Sequence, residues 1–244
     1  VVLLAVRRLG LASLLSARPC READLVMAMI AARIVAPHTK LATTRWWHTR
    51  TLADELGVAD ADEDDLYAAM DWLLERQGRI EKKLASRHLE EGGLVLYDLS
   101  SSWFEGKTCL LARRGYSRDG RKGTLQVNYG VVTDRRGCPV AASVHEGNTA
   151  DPSTLMPEIT RVRDKFGIER LVSVGDRGMV SQKAIDEIEA MEGVDWISAL
   201  KSGSIRALVE GGELQLDLFD ERNLFELSHP DYPGERLVAC RNPQ

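Results

Sequence analysis

Apolar and polar positions along this chain fall into two regimes, a helical repeat followed by short apolar runs cut by turns. Residues 1–15 are apolar but interrupted by Arg7 and Arg8, and read as a core helix. Over 21–36, Leu25, Met29, Ile30 and Ile34 recur at near-helical spacing until Pro37 ends the pattern. A short helix is expected over 51–56, with Gly57 placed to terminate it. Asp60 or Asp62 then caps a long helix whose first turn carries further acids, where the helix dipole favours them. Leu66, Met70, Leu73, Leu74 and Ile80 form its apolar stripe, and Lys82, Lys83 and Arg87 lie near its end. Gly92-Gly93 breaks the repeat and marks a domain boundary.

Beyond the break the period changes. Strands are expected over 94–99, 125–132 and 139–145, the last two joined by a turn over 133–137. A helix follows over 152–166, then a strand (170–174), a helix (181–191) and a strand (196–200). Three strands, helix, strand, helix, strand is the order of an RNase H-like α+β or α/β fold, a mixed sheet flanked by helices. There the first and fourth strands form a parallel pair buried on both faces. From residue 202 onward the chain reads as short strands (214–219, 223–227, 236–240), the start of a β-rich insertion that does not finish. The expected organisation is a helical segment over 1–92, the first part of the core over 93–201 and the insertion over 202–244.

Composition narrows the class. With 44% hydrophobic and 28% charged residues the chain is an ordinary globular sequence. No stretch is long and unbroken enough for a transmembrane span, and no membrane partner is expected. Four scattered cysteines without C-x-x-C spacing read as reduced thiols, and no zinc spacing is present; His145-Glu146 opens like H-E-x-x-H, but Thr149 stands at the second histidine. The net charge of −5 argues against non-specific coating of DNA. Locally the balance reverses: between Leu99 and Arg136, Lys107, Arg113, Arg114, Arg118, Arg121, Lys122, Arg135 and Arg136 face only Glu105, Asp119 and Asp134.

Two aspartates carry the candidate chemistry. Asp98 sits in Leu94-Val95-Leu96-Tyr97-Asp98-Leu99-Ser100, and Asp176 follows Leu171-Val172-Ser173-Val174-Gly175. Aspartate is depleted in strands and costly to bury unpaired, so two in matching contexts suggest carboxylates converging on a metal at the carboxyl ends of parallel strands. The bland alternatives are a strand aspartate paired with Ser100 or an arginine, and a turn cap at Asp176. Asp151 reads as the cap of the helix beginning at Pro152.

The strings Tyr97-Asp98-Leu99-Ser100-Ser101-Ser102, Gly147-Asn148-Thr149-Ala150-Asp151 and Gly175-Asp176-Arg177-Gly178-Met179 resemble the catalytic-core motifs of bacterial insertion-sequence DDE transposases, in the IS-four-like branch with a β-rich insertion before its last acid. The resemblance implies that Asp98 and Asp176 are catalytic acids binding Mg2+ or Mn2+, that Asn148 and Thr149 shape a loop near them, and that Arg177 contacts DNA. With the basic segment, Arg113, Arg114, Arg121 and Lys122 become DNA-binding candidates, Trp103 and Tyr116 flanking them. It further implies double-stranded DNA partners (element ends and target), a homodimer on DNA and a cytoplasmic, nucleoid-associated bacterial protein. The family's third acid lies in Tyr-x2-Arg-x3-Glu-x6-Lys; the only late tyrosine here is Tyr232, and Glu235 stands at the arginine position. The chain is therefore expected to be a fragment truncated at both ends and inactive alone. Alternatives are an RNase H-like nuclease without strand transfer, or a non-catalytic relic that binds DNA or dimerises.

Overall fold

In the computed structural model, which describes residues 1–118, 120–212 and 224–240, seven helices precede the first strand. They are α1 (Val2–Arg8), α2 (Leu11–Leu15), α3 (Arg21–Val35), α4 (Lys40–Trp47), α5 (Leu52–Glu55), α6 (Glu63–Leu74) and α7 (Gln77–His88). The single core helix expected over 1–15 is two, because Gly10 takes φ +67° and turns the chain between them. Helix α4 has no counterpart in the sequence reading. Thr39 starts it by accepting from Ala42 N, and Trp47 ends it fully buried.

The expected long helix is also two. Asp62, not Asp60, starts α6 with a capping box: its side chain accepts from Asp65 N and the Asp65 carboxylate accepts from Asp62 N. At Arg76 the chain tightens, its N–H bonding the Leu73 carbonyl at 3.0 Å. The Arg76 guanidinium folds back onto Trp72, 2.9 Å from its carbonyl and 3.9 Å from the ring centroid. The break re-aims the apolar stripe. Leu66, Leu73 and Ile80 belong to a core with Val26 and Trp47, whereas Leu84 and Ala85 of α7 pack against a second core built on the sheet. Among the described residues no single helix is long and apolar enough to cross a membrane; α3 and α4 reach that length only together and are bent by 92°.

The sheet comprises β1 (Gly93–Phe104), β2 (Arg113–Arg114), β3 (Leu125–Asp134), β4 (Pro139–Glu146), β5 (Leu171–Val174) and β6 (Val194–Ile197), with α8 (Pro152–Phe166) and α9 (Gln182–Glu189) between the later strands. The main strands lie in the order β4-β3-β1-β5-β6, and β2 pairs with the first two residues of β3. β1 is parallel to β5 and β5 to β6, while β1–β3 and β3–β4 are antiparallel. This is the RNase H-like order expected, with the first and fourth main strands adjacent.

Side chains alternate between the two faces. Val95, Tyr97, Leu99, Val132, Ala141, Leu171 and Val194 point to one face, under Ala85 of α7, Leu155, Ile159 and Val162 of α8, and Ala184 and Ile188 of α9. The opposite parity includes Leu94, Tyr129, Val144 and Ile197, all exposed. The parallel pair is thus sealed on one face, not on both as expected. A buried ion cluster ties α7 and α8 to the sheet: Glu81 accepts from Ala142 N at 3.1 Å and pairs with Arg161, which also meets Glu158 at 3.2 Å. Burial opposes the Arg161 charge, but the hydrogen bond to Glu81 and the two carboxylate charges outweigh it and raise its pKa.

Residues Ser202–Glu210, expected to open a run of strands, form helix α10, with Ile205, Leu208 and Val209 on one side. Strands β7 (Leu224–Leu227) and β8 (Leu237–Cys240) pair as an antiparallel two-stranded sheet, close to expectation. The strand expected over 214–219 lies outside the described residues.

Candidate metal-binding and nucleic-acid site

The β1–β5 register pairs Leu94 with Val172 and Leu96 with Val174. Asp98 and Asp176 each stand two residues further along, Asp98 inside β1 just past its parallel pairing with β5, and Asp176 just past the carboxyl end of β5. The main-chain ladder continues from β5 to β6 up to Gly175 N, which bonds the Ile197 carbonyl at 3.2 Å. Asp98 has the parity of Leu94, so its side chain is on the exposed face, and Asp176 is exposed as well. Each carboxylate is held through Oδ1 by main-chain N–H groups: Asp98 by Leu99 N at 2.8 Å, Asp176 by Gly178 N at 3.0 Å and Met179 N at 2.8 Å. Oδ2 of each takes no hydrogen bond from the described residues. Asp176 therefore organises a turn and keeps one oxygen free for a ligand. Among the described residues no third histidine, cysteine or acid gathers with these two within 4.8 Å.

β1 runs six residues past Asp98, to Phe104, about 20 Å along the strand. The basic segment lies beside that end, Arg113 and Arg114 level with Trp103 and Phe104 across β3. Arg113 pairs with Glu146 at 3.2 Å, and the Arg121 guanidinium sits 4.1 Å from the Trp103 ring centroid. Arg114 and Lys122 are exposed without an ion-pair partner among the described residues, as is the Tyr116 ring. Arg118 behaves differently: its guanidinium is largely buried against Asp151, and its N–H bonds Ser101 Oγ at 3.3 Å. Asp151 consequently makes no side-chain cap for α8, the role expected of it. Arg177 donates to Ser202 Oγ at 3.0 Å, joining the Asp176 turn to α10.

Two residues that sequence reading passed over organise this end of the sheet. Gln126 and Asn128 are buried, and both are polar residues inside a strand. Gln126 Nε2 donates to the Tyr116 carbonyl at 2.8 Å and the Gly147 carbonyl at 2.7 Å, and Asn128 Nδ2 donates to the Thr149 carbonyl at 3.1 Å. They clamp the basic segment to the loop carrying Asn148 and Thr149. The loop approaches so closely that a Cβ on Gly147 would lie 2.0 Å from the Gln126 carbonyl oxygen, and one on Gly115 2.1 Å from that of Gly147. Asn148 and Thr149 follow β4, whose last residue pairs with Val127, four residues along β3 from Val131, the partner of Asp98. His145 is a satisfied strand histidine, its Nε2 3.1 Å from Ser143 Oγ.

No family model and no curated protein sequence matches the chain. Among solved structures it resembles a piggyBac transposase synaptic complex with hairpin DNA, with a TM-score of 0.50 at 10% identity over 87% of this chain and 48% of that one. A looser likeness is to a Mos1 transposase paired-end complex with the left transposon end (TM-score 0.29, 12% identity, 82% of this chain and 74% of that one). Another is to the Mos1 strand transfer complex (TM-score 0.31, 13% identity, 84% and 68%). The piggyBac likeness establishes the fold: a mixed sheet packed with helices, as in a transposase catalytic domain. This chain spans about half the length of that piggyBac chain.

Proposed function

We propose that the chain is part of a DDE-type DNA transposase, of the insertion-sequence kind that its motifs resemble. In this reading the protein cleaves DNA at element ends and joins the freed 3′-hydroxyl to a target phosphodiester. The observation that supports it is the register of β1 and β5, whose last parallel pair, Leu96 and Val174, lies two residues before Asp98 and Asp176 alike, in a transposase-like sheet. The pair suits a hard divalent cation: two exposed carboxylates, each with one oxygen oriented by the main chain and one free, leave room for the waters such ions retain. Asp98 and Asp176 would hold Mg2+ or Mn2+, which supplies activation of the attacking oxygen and stabilisation of the leaving one.

The remaining residues bind and position DNA. Arg114 and Lys122 meet backbone phosphates at the far end of β1, with Arg113 and Arg121 held there by Glu146 and Trp103, while Arg177, held by Ser202, meets DNA beside the Asp176 turn. Asn148 and Thr149 keep their loop against the basic segment, and a second copy engages the other element end.

The test is cleavage of labelled duplex and joining to a plasmid in Mg2+ or Mn2+ by the whole transposase of which this chain is proposed to be part, with Asp98→Ala and Asp176→Ala beside the wild type. Metal-dependent nicking lost in both variants, with joined products, supports a transposase; nicking without joining supports a nuclease. Equal behaviour of wild type and both variants, with DNA binding retained, would remove the pair from catalysis and leave a DNA-binding relic.

A further inference from the structure

His88 at the end of α7, Asp134 at the end of β3 and Cys138 in the β3–β4 turn bring a ring nitrogen, a carboxylate oxygen and a sulfur within 4.8 Å of one another. We propose that this cluster is a second metal site, for Zn2+ or a similarly borderline-soft divalent cation, separate from the aspartate pair. His88 Nδ1 and Asp134 Oδ2 are 3.5 Å apart, within the roughly 3.3–3.8 Å that separates neighbouring ligand atoms around tetrahedral zinc. Thiolate and imidazole favour zinc over magnesium, and the carboxylate is compatible with both.

The turn is built to present these groups. Asp134 is buried, and its Oδ1 is fixed by Arg136 N at 2.8 Å and Cys138 N at 2.9 Å, which turns Oδ2 toward His88. Asp134 N in turn bonds the Cys138 carbonyl at 3.1 Å. The partly exposed His88 ring leaves solvent access for a water as fourth ligand.

A cation already occupies the convergence point. Arg136 Nη2 lies 3.0 Å from Asp134 Oδ2 and 3.2 Å from His88 Nδ1, and Arg136 Nε lies 3.1 Å from Oδ2. A guanidinium only donates, so Nδ1 meets it as an acceptor, with the lone pair a metal would use. The Arg136 side chain is 63% exposed and can swing into solvent, whereas the three ligands are anchored on the end of α7 and on a hydrogen-bonded turn. Arg136 is a placeholder that zinc displaces. Asp134 pairs with Val95, three residues before Asp98, and has the parity of the helix-covered face. The ion would clip α7 to the sheet, away from the aspartate pair.

The experiment is titration of the full chain with Zn2+ by calorimetry, and with Co2+ to read sulfur-to-metal charge-transfer absorption. One zinc per chain is expected, undisturbed by Mg2+. Cys138→Ser should weaken binding at least tenfold and abolish the thiolate absorption, and Cys138→Ala makes the same comparison if the serine variant does not fold. Arg136→Gln should tighten binding by removing the competing cation. The proposal fails if wild type takes up no zinc, if loss of the Cys138 thiol leaves affinity unchanged, or if Arg136→Gln binds no more tightly than wild type. Neither readout depends on DNA cleavage.

Discussion

Asp98 and Asp176 stand two residues beyond Leu96 and Val174, the last register pair of the parallel β1–β5 ladder. Because both carboxylates are exposed and bonded only through Oδ1, their removal leaves the core intact. Asp98→Asn is expected to unfold at the wild-type temperature yet bind Mn2+ more weakly by a factor above the roughly 10–100-fold typical of losing an outer-shell partner. Mn2+ relaxation or calorimetry with a thermal melt checks both halves. Unchanged Mn2+ affinity would refute the pairing.

Within the basic segment Arg114 and Lys122 are exposed without an ion-pair partner among the described residues, whereas Arg118 is largely buried against Asp151. Arg114→Ala and Lys122→Ala should each lower affinity for duplexes of any sequence and reduce the slope of log K against log salt by about 0.9 for each phosphate no longer neutralised. Arg118→Ala should instead lower the melting temperature, because it strips Asp151 of a largely buried partner. Filter binding at several salt concentrations, beside a melt, distinguishes the two kinds of arginine.

Gly147 tolerates no side chain. Its Cβ would meet the Gln126 oxygen at 2.0 Å and the Arg113 oxygen at 2.7 Å, both main chain, so neither neighbour can yield without moving a strand. Gly147→Ala should cost on the order of 1–3 kcal/mol, the usual range for overpacking. It should also loosen the Gln126 clamp on the Gly147 carbonyl and the loop that follows, which hydrogen exchange at Thr149, whose N–H bonds the Glu146 carbonyl at 2.9 Å, would report as lost protection.

Glu81 is buried with Arg161 between α7, β4 and α8. Glu81→Ala leaves the guanidinium short of a partner and the Ala142 N–H without an acceptor. Loss of one member of a buried pair costs about 3–5 kcal/mol, and denaturant unfolding should show a decrease of that order. A decrease below about 1 kcal/mol would mean that Glu158 alone satisfies Arg161.

Glu91 joins the starts of β1 and β5 by accepting from Glu169 N at 3.0 Å and Arg170 N at 2.9 Å. The Arg170 and then the Glu169 main-chain N–H hold its pKa below the ordinary glutamate value. A carboxylate with a depressed folded pKa stabilises above its unfolded pKa of about 4.3, and the contribution fades as pH falls through the folded value. Glu91→Gln should therefore melt below wild type at pH 7, and the gap should close on acidification below about pH 4. A gap constant from pH 7 to pH 3 would contradict this origin.

Near neighbours in sequence carried much of the outcome. The helical repeat of Leu25, Met29 and Ile30, the Asp62 cap, the alternation through Val95, Tyr97 and Leu99, and the helix between the later strands are local consequences of side-chain period and capping, so the RNase H-like strand order was legible. The matching contexts of Asp98 and Asp176 were legible for the same reason, since each lies at a fixed offset from its own apolar run. Only the tertiary structure decided what depends on distant partners. It set the 78-residue register offset between β1 and β5, and it diverted Asp151 from capping α8 to pairing with Arg118. It split one helical repeat at Arg76 so that a continuous segment serves two cores, and it gathered His88, Asp134 and Cys138 from a helix end and a turn. Hydrogen bonds and ion pairs between residues tens of positions apart leave no periodic trace in the chain, because either partner alone reads as an ordinary polar side chain.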